Sequence, residues 1–211
     1  MQTALCGLLG YLIGGINPAY IISKLKGFDI RQRGSGNAGA SNAMMTMGKK
    51  VGAAIAVFDI FKAFFAVVIA IKLFPQVKLA RLVSGVCCIL GHIFPVMMRF
   101  HGGKGLACLG GFILAYDPLI FAMLLVCELI LALTIDYVCV VPISGSAIFT
   151  LIYAFTTGDP MGTLILAIVA VIILWKHTEN LKRIQNGTEA HISFLWKKDQ
   201  EIERIKNNAN T

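Results

Sequence analysis

"VGAAIAVFDIFKAFFAVVIAIKL", residues 51–73, decides the class of this protein. Only Asp59, Lys62 and Lys72 interrupt its apolar character, and about 20 apolar residues in a helix cross a hydrocarbon core about 30 Å thick. Comparable runs recur at residues 3–23, 80–98, 118–135, 140–157 and 160–176. "KGLACLGGFILAY" (104–116) is shorter and, at about 1.5 Å per residue, covers little more than half a bilayer. The composition agrees: 57% of the 211 residues are hydrophobic and 14% charged, against about 45–50% and about 25% in soluble domains. The fold class is therefore all-α, a polytopic integral membrane protein of about seven transmembrane helices, one of them short, with six as the fallback count. Residues 1–196 are expected to form a single helical domain, and residues 197–211 a basic, polar tail that ends in solvent. "MQTALC" has no basic n-region, so no detachable targeting peptide is expected.

Charge predicts the orientation. Lys24, Lys26, Arg31, Arg33, Lys49, Lys50, Arg99 and Lys104 flank one side of the spans, and Lys176, Lys182, Arg183, Lys197, Lys198, Arg204 and Lys206 join them from the tail. Only Lys62, Lys72, Lys78 and Arg81 fall elsewhere. The positive-inside rule then puts the N-terminus out and the C-terminus in the cytoplasm. Three polar, glycine-bearing stretches share the inner face: "RGSGNAGASN" (33–42), "GHIFPVMMRFHGGKG" (91–105) and "KHTENLKRIQNGTE" (176–189). They are expected to converge on one site at the membrane surface.

The first stretch spells G-x-G-x-x-G with Gly34, Gly36 and Gly39. A dinucleotide site needs a buried strand before those glycines, and "KLKGFDIRQR" is too charged to be one. "HGGKG" fails as a P-loop, because Gly105 stands where a magnesium-binding Ser or Thr is required. What remains is anion chemistry. Glycines let backbone N–H groups approach a phosphate, Ser35, Asn37 and Asn42 add neutral donors, and Lys104 adds a cation beside Gly102, Gly103 and Gly105. The alternative is a set of glycine hinges that merely allow tight packing. His177 and Asn180, three residues apart, share a helix face, with Gly187 and Glu189 nearby. His92 reads as a structural hydrogen-bonder. The six cysteines lack a C-x-x-C or Cys/His ligand spacing, so neither disulfides nor a metal site is expected. Asp59 and Lys62, also three apart, are expected to pair within a span. Glu128 has no obvious partner in sequence; either the fold buries it or a transporter uses it.

In this order, with "INPAY" before them, the stretches resemble the bacterial acyl-phosphate-dependent glycerol-3-phosphate acyltransferases. The resemblance covers nearly the whole chain. It implies seven helices, a site open to the cytoplasm in the bacterial cell (inner) membrane, no cofactor, and no nucleic-acid partner. The substrates it implies are a fatty acyl phosphate and glycerol 3-phosphate, giving lysophosphatidic acid and inorganic phosphate. Ser35, Lys104, His177 and Asn180 are then the catalytic candidates, and Gly34, Gly36, Asn37, Gly39, Asn42, Gly102, Gly103, Gly105 and Glu189 the binding ones. An acyl phosphate is a mixed anhydride with a good leaving group, so direct displacement is expected, with His177 or a substrate phosphate oxygen accepting the proton. The chain departs from the family pattern at Met45 (usually arginine), Ala63 (usually glycine), Asp136 (commonly basic), and Cys139 and Pro142 (usually serines). A paralogue acting on another phosphorylated acceptor and a non-catalytic lipid or phosphate binder are the other readings.

Overall fold

Asn17–Pro18 and Asp159–Pro160 show how the sequence punctuates its helices. In each pair the polar side chain accepts an N–H of the new first turn, Tyr20 at 2.8 Å and Met161 at 3.1 Å. Proline follows at a position whose own N–H would be unused. The computed structural model describes residues 1–209. Its helices are α1 (Gln2–Gly15), α2 (Pro18–Leu25), α3 (Ala40–Met47), α4 (Lys49–Leu73), α5 (Ala80–Ile93), α6 (Leu106–Tyr116), α7 (Pro118–Ile135), α8 (Val140–Thr157), α9 (Pro160–Lys176), α10 (Thr178–Gln185) and α11 (Lys198–Ala209). No strand occurs among the described residues.

Five segments are long and apolar enough to cross a membrane: Gln2–Leu25, Lys49–Leu73, Ala80–Met98, Pro118–Ile135 and Val140–Thr157. A sixth is counted if α9 and α10, bent by 43° at His177, form one broken span. Leu106–Tyr116 is the short apolar helix the sequence predicts. The chain falls into two compact units, residues 1–121 and the chain from Ala122 onward.

In the first unit, α1 lies directly on α5. A Cβ at Gly14 would strike the Cys88 backbone, so the small residue is what lets the two helices approach. The opposite faces, with Phe58, Phe61 and Phe65 on α4, stay exposed, as lipid-facing surfaces must. In the second unit, Ser144 Oγ on α8 donates to Glu128 Oε2 on α7 at 2.7 Å. Glu128 thus has the partner its sequence context did not disclose, and the fold uses it to tie two helices. Past residue 197 the chain is polar and ends exposed at residues 206–208. Residues 198–209 are helical, and Glu201 is buried among partners described below rather than solvated.

Candidate active site

The first stretch is folded around one amide. Asn42, buried in the first turn of α3, donates Nδ2 to the carbonyls of Ile30 (3.1 Å), Arg33 (2.9 Å) and Asn37 (3.0 Å). Its Oδ1 accepts the Ser35 N–H at 2.9 Å. A side-chain amide has two hydrogens, so these carbonyls already claim its donor capacity. Asn42, read from the sequence as a phosphate donor, is the knot that shapes the loop. It leaves Gly34, Ser35 and Gly36 exposed and Asn37 half-buried. Gly34 and Gly36 adopt left-handed φ values of 58° and 72°, which glycine alone takes without strain. Gly39 has an ordinary φ and caps α3. Met45, at the departure from the family pattern, lies exposed on α3. Asn17 secures the loop from outside by donating Nδ2 to the Ala38 carbonyl at 2.9 Å. Sequence reasoning missed that role, although an Asn–Pro helix start was its signal.

Arg31 carries the first stretch to the second. Its Nε and Nη2 meet the two Asp29 oxygens at 3.0 and 2.7 Å, and Nη1 donates to the Met98 carbonyl at 2.9 Å. Met98 itself shares a buried cluster with Ala19, Ile30, Ala38, Ala43 and Ile55. The first loop and the segment leading into the second therefore share an apolar cluster and a polar bridge. The Arg31 guanidinium holds the Asp29 carboxyl well below the usual carboxylate range, and Arg31 is raised in return.

The second stretch reverses at Arg99 and Phe100, both left-handed (φ 53° and 61°), and returns onto the end of α5. There the N–H groups of Gly102 and Gly103 donate to the Ile93 and His92 carbonyls at 3.1 and 3.0 Å. A Cβ on Gly103 would collide with the His92 ring. These two glycines, expected to cradle an anion with their N–H groups, instead spend them on α5, so close packing is their first job. Gly105 (φ 94°) caps α6, and half-buried Lys104 stands immediately before that helix start, where the helix dipole favours anions.

Behind this loop lies a charged cluster. Lys62 Nζ is 2.7 Å from Asp59 Oδ1, 2.6 Å from the Ile16 carbonyl and 3.1 Å from His92 Nδ1. The expected Asp59–Lys62 pair is present. An ammonium beside Nδ1 donates to it, which leaves the His92 proton on Nε2, the atom turned toward Gly103. Asp59, His92 and Cys108 also bring ligand atoms within 4.8 Å of one another, a convergence that sequence spacing did not reveal. The Lys62 ammonium supplies the positive charge among them.

The third stretch lies in the second unit. His177 is buried at the bend between α9 and α10, with Nδ1 2.8 Å from the Ile173 carbonyl. A carbonyl only accepts, so in the neutral ring Nδ1 carries the hydrogen and Nε2 the lone pair. Asn180, also buried, donates Nδ2 to Glu189 Oε1 at 2.5 Å. Arg183 Nε meets Glu189 Oε2 at 2.6 Å. Glu189, expected to bind substrate, has each carboxylate oxygen on a side chain of its own motif and orients the Asn180 amide. The structure thus brings the first two stretches together and places the third in its own unit.

A family model described as glycerol-3-phosphate acyltransferase matches residues 4–187. The glycerol-3-phosphate acyltransferase of Bacillus subtilis (strain 168) is 37% identical over 196 residues, covering 92% of this chain and all of that protein. Glycerol-3-phosphate acyltransferase 3 of Bacillus anthracis is 34% identical, over 92% of this chain and 97% of its own. Among solved structures, PlsY (YgiH), an integral membrane glycerol 3-phosphate acyltransferase, matches in its glycerol 3-phosphate form with a TM-score of 0.82 and 31% identity. That match covers 92% of this chain and 98% of the other. Its lysophosphatidic acid form matches with a TM-score of 0.78, over 90% and 95%. Matched by the family model over residues 4–187 and by these relatives over 92% of its length, this chain belongs to the glycerol-3-phosphate acyltransferase family.

Proposed function

We propose that the protein transfers the acyl group of a fatty acyl phosphate to glycerol 3-phosphate, releasing lysophosphatidic acid and inorganic phosphate. One observation carries this reading: Arg31 and the Met98 cluster tie the loop that holds Ser35 to the segment that leads into the glycine loop with Lys104. The relatives crystallised with glycerol 3-phosphate and with lysophosphatidic acid support the acceptor and the product. An acyl phosphate donor suits a site that offers no covalent nucleophile in the proposed scheme. With a phosphate leaving group the acceptor hydroxyl attacks the acyl carbon directly, the carbon–oxygen bond to phosphate breaks, and no covalent enzyme intermediate is needed.

Lys104 is assigned to phosphate charge, and Ser35 with the exposed loop 34–37 to the tetrahedral oxyanion or a phosphate. His177 Nε2 is assigned to the acceptor hydroxyl's proton, and Asn180 to holding the reacting groups through its amide. The basic flanks of the spans support a bacterial cell (inner) membrane location with both glycine loops on the cytoplasmic side. The test is phosphate release from acyl phosphate by the purified chain in detergent or lipid cubic phase. Release that requires glycerol 3-phosphate, and is lost in a folded Lys104→Ala variant, is the expected result. Release driven instead by another polyol phosphate reassigns the acceptor. Binding without release makes the protein a non-catalytic binder, and wild-type rates in Lys104→Ala remove that lysine from the mechanism.

A further inference from the structure

The family match ends at Gly187, yet the turn that presents Glu189 is held from farther along the chain. Arg204, on α11, donates Nη1 to the Gly187 carbonyl at 2.5 Å and Nη2 to the Glu189 carbonyl at 2.6 Å. Asn208 Nδ2 adds a second bond to the Gly187 carbonyl at 2.8 Å. Glu201, one turn before Arg204, takes the His191 N–H on Oε1 at 2.9 Å. Glu201 also fixes the guanidinium, with Oε1 2.5 Å from Nη2 and Oε2 3.1 Å from Nε. Three backbone groups of the turn, at 187, 189 and 191, are thereby satisfied by two side chains of a helix outside the family segment, with Asn208 assisting.

The other end of the same segment is matched to a residue that departs from the family pattern as the sequence reads it. Asp136 stands where the family pattern commonly has a basic residue. Here its Oδ1 and Oδ2 accept the Ser193 N–H and hydroxyl, each at 3.0 Å, and its carbonyl accepts the Ile192 N–H at 2.9 Å. His191 Nε2 lies 3.0 Å from the Tyr137 hydroxyl. A basic side chain at 136 could accept neither Ser193 contact. The acidic substitution and the segment after Gly187 fit one another. Burial alone pushes the Glu201 carboxyl up, but the Arg204 guanidinium and the His191 N–H hold it below its usual range, in keeping with a closed network.

We propose that α11 is a built-in brace for the Glu189 turn, in which Arg204 is a positioning residue that sets the Asn180 amide for acyl transfer. The inference rests on the reaction proposed above. Arg204 reaches Glu189 through its backbone, Glu189 reaches Asn180 through its carboxylate, and no member of the chain has to touch substrate except Asn180. A lysine at 204 would keep the ion pair with Glu201. It could not bridge two carbonyls and a carboxylate at once, because an ammonium lacks the planar fork.

The experiment compares the full chain, a form ending at Trp196, and Arg204→Lys, measuring phosphate release in detergent and amide hydrogen exchange at Thr188 and Glu189. Both N–H groups bond to the Arg183 carbonyl, at 2.8 and 3.1 Å, so they report the turn itself. The expected result is a roughly tenfold fall in kcat in both variants, KM for glycerol 3-phosphate within about threefold, and faster exchange at both amides. Arg204→Lys covers the case in which the shortened chain fails to fold. Wild-type kcat in Arg204→Lys overturns the proposal, and so does a kcat loss with unchanged exchange. A wild-type chain that releases no phosphate refutes the reaction instead, and the exchange data then judge the brace alone.

Discussion

Each glycine loop of the first unit has a polar hub behind it, Asn42 for the first and, through His92, Lys62 for the second, and the two hubs are built on opposite principles. Asn42 is neutral, and its partners, Ile30, Arg33, Ser35 and Asn37, all lie within twelve residues of it in sequence. Lys62 is charged, and its partners Ile16, Asp59 and His92 come from the break after α1, from its own helix and from α5. A local neutral knot can form as soon as its loop does. A buried ammonium is tolerable only after three separate segments have assembled around it. The first loop is thus shaped by its own sequence, and the second by the folded helix bundle.

The largest expected effect breaks the charged hub. Lys62→Met removes the ammonium and strands the Asp59 carboxylate among buried groups, which costs about 3–5 kcal/mol when one member of a buried pair is lost. Thermal unfolding in detergent should show it as a marked fall in melting temperature. The double variant Asp59→Leu, Lys62→Met removes both charges and should recover about half of that loss or more. If the double variant is no better than the single one, the cost lies in the missing contacts to His92 and Ile16, not in the orphaned charge.

Asn42→Ala breaks the neutral hub. Losing four hydrogen bonds at a buried amide costs about 3 kcal/mol. Because those bonds shape the exposed residues 34–36, the loss should fall on activity more than on the melt. The expected reading is a kcat/KM lower by about 100-fold with a modest change in melting temperature. A variant that melts early yet keeps its kcat/KM would show that the loop's shape does not matter to turnover, and the contrast between the hubs would vanish.

The same contrast explains what could be read from the sequence. The spans, the short helix 106–116 and the Asp59–Lys62 pair follow from apolar run length and from i,i+3 spacing, which are local properties. Asn42, Glu189, Gly102 and Gly103 stand out as motif residues, but the internal hydrogen bonds they make do not. A donor or acceptor in a motif looks the same whether it meets substrate or its own backbone, and only the fold shows that these four are already engaged. His92 against Lys62, Asn17 on Ala38 and Arg204 on the Glu189 turn depend on contacts across 30, 21 and 15 residues. No periodicity encodes such pairs.

The smallest effect concerns the bridge between the loops. Asp29 aligns Arg31 so that its remaining arm reaches the Met98 carbonyl. Asp29→Asn loosens that arm at a cost of about 1 kcal/mol. The pH dependence distinguishes this from ordinary packing. The Asp29 carboxyl is depressed from an unperturbed value of 3.8, chiefly by its bonds to Arg31. A depressed acid contributes its full stability above the unperturbed value and loses it as pH falls through the lower folded one. The melting-temperature gap between wild type and Asp29→Asn should therefore stay constant from about pH 8 to about pH 5, and close only in stronger acid. A gap that closes near neutrality would mean that Asp29 is not held ionised by Arg31. The two loops would then be joined through the apolar cluster alone, and their alignment would owe nothing to charge.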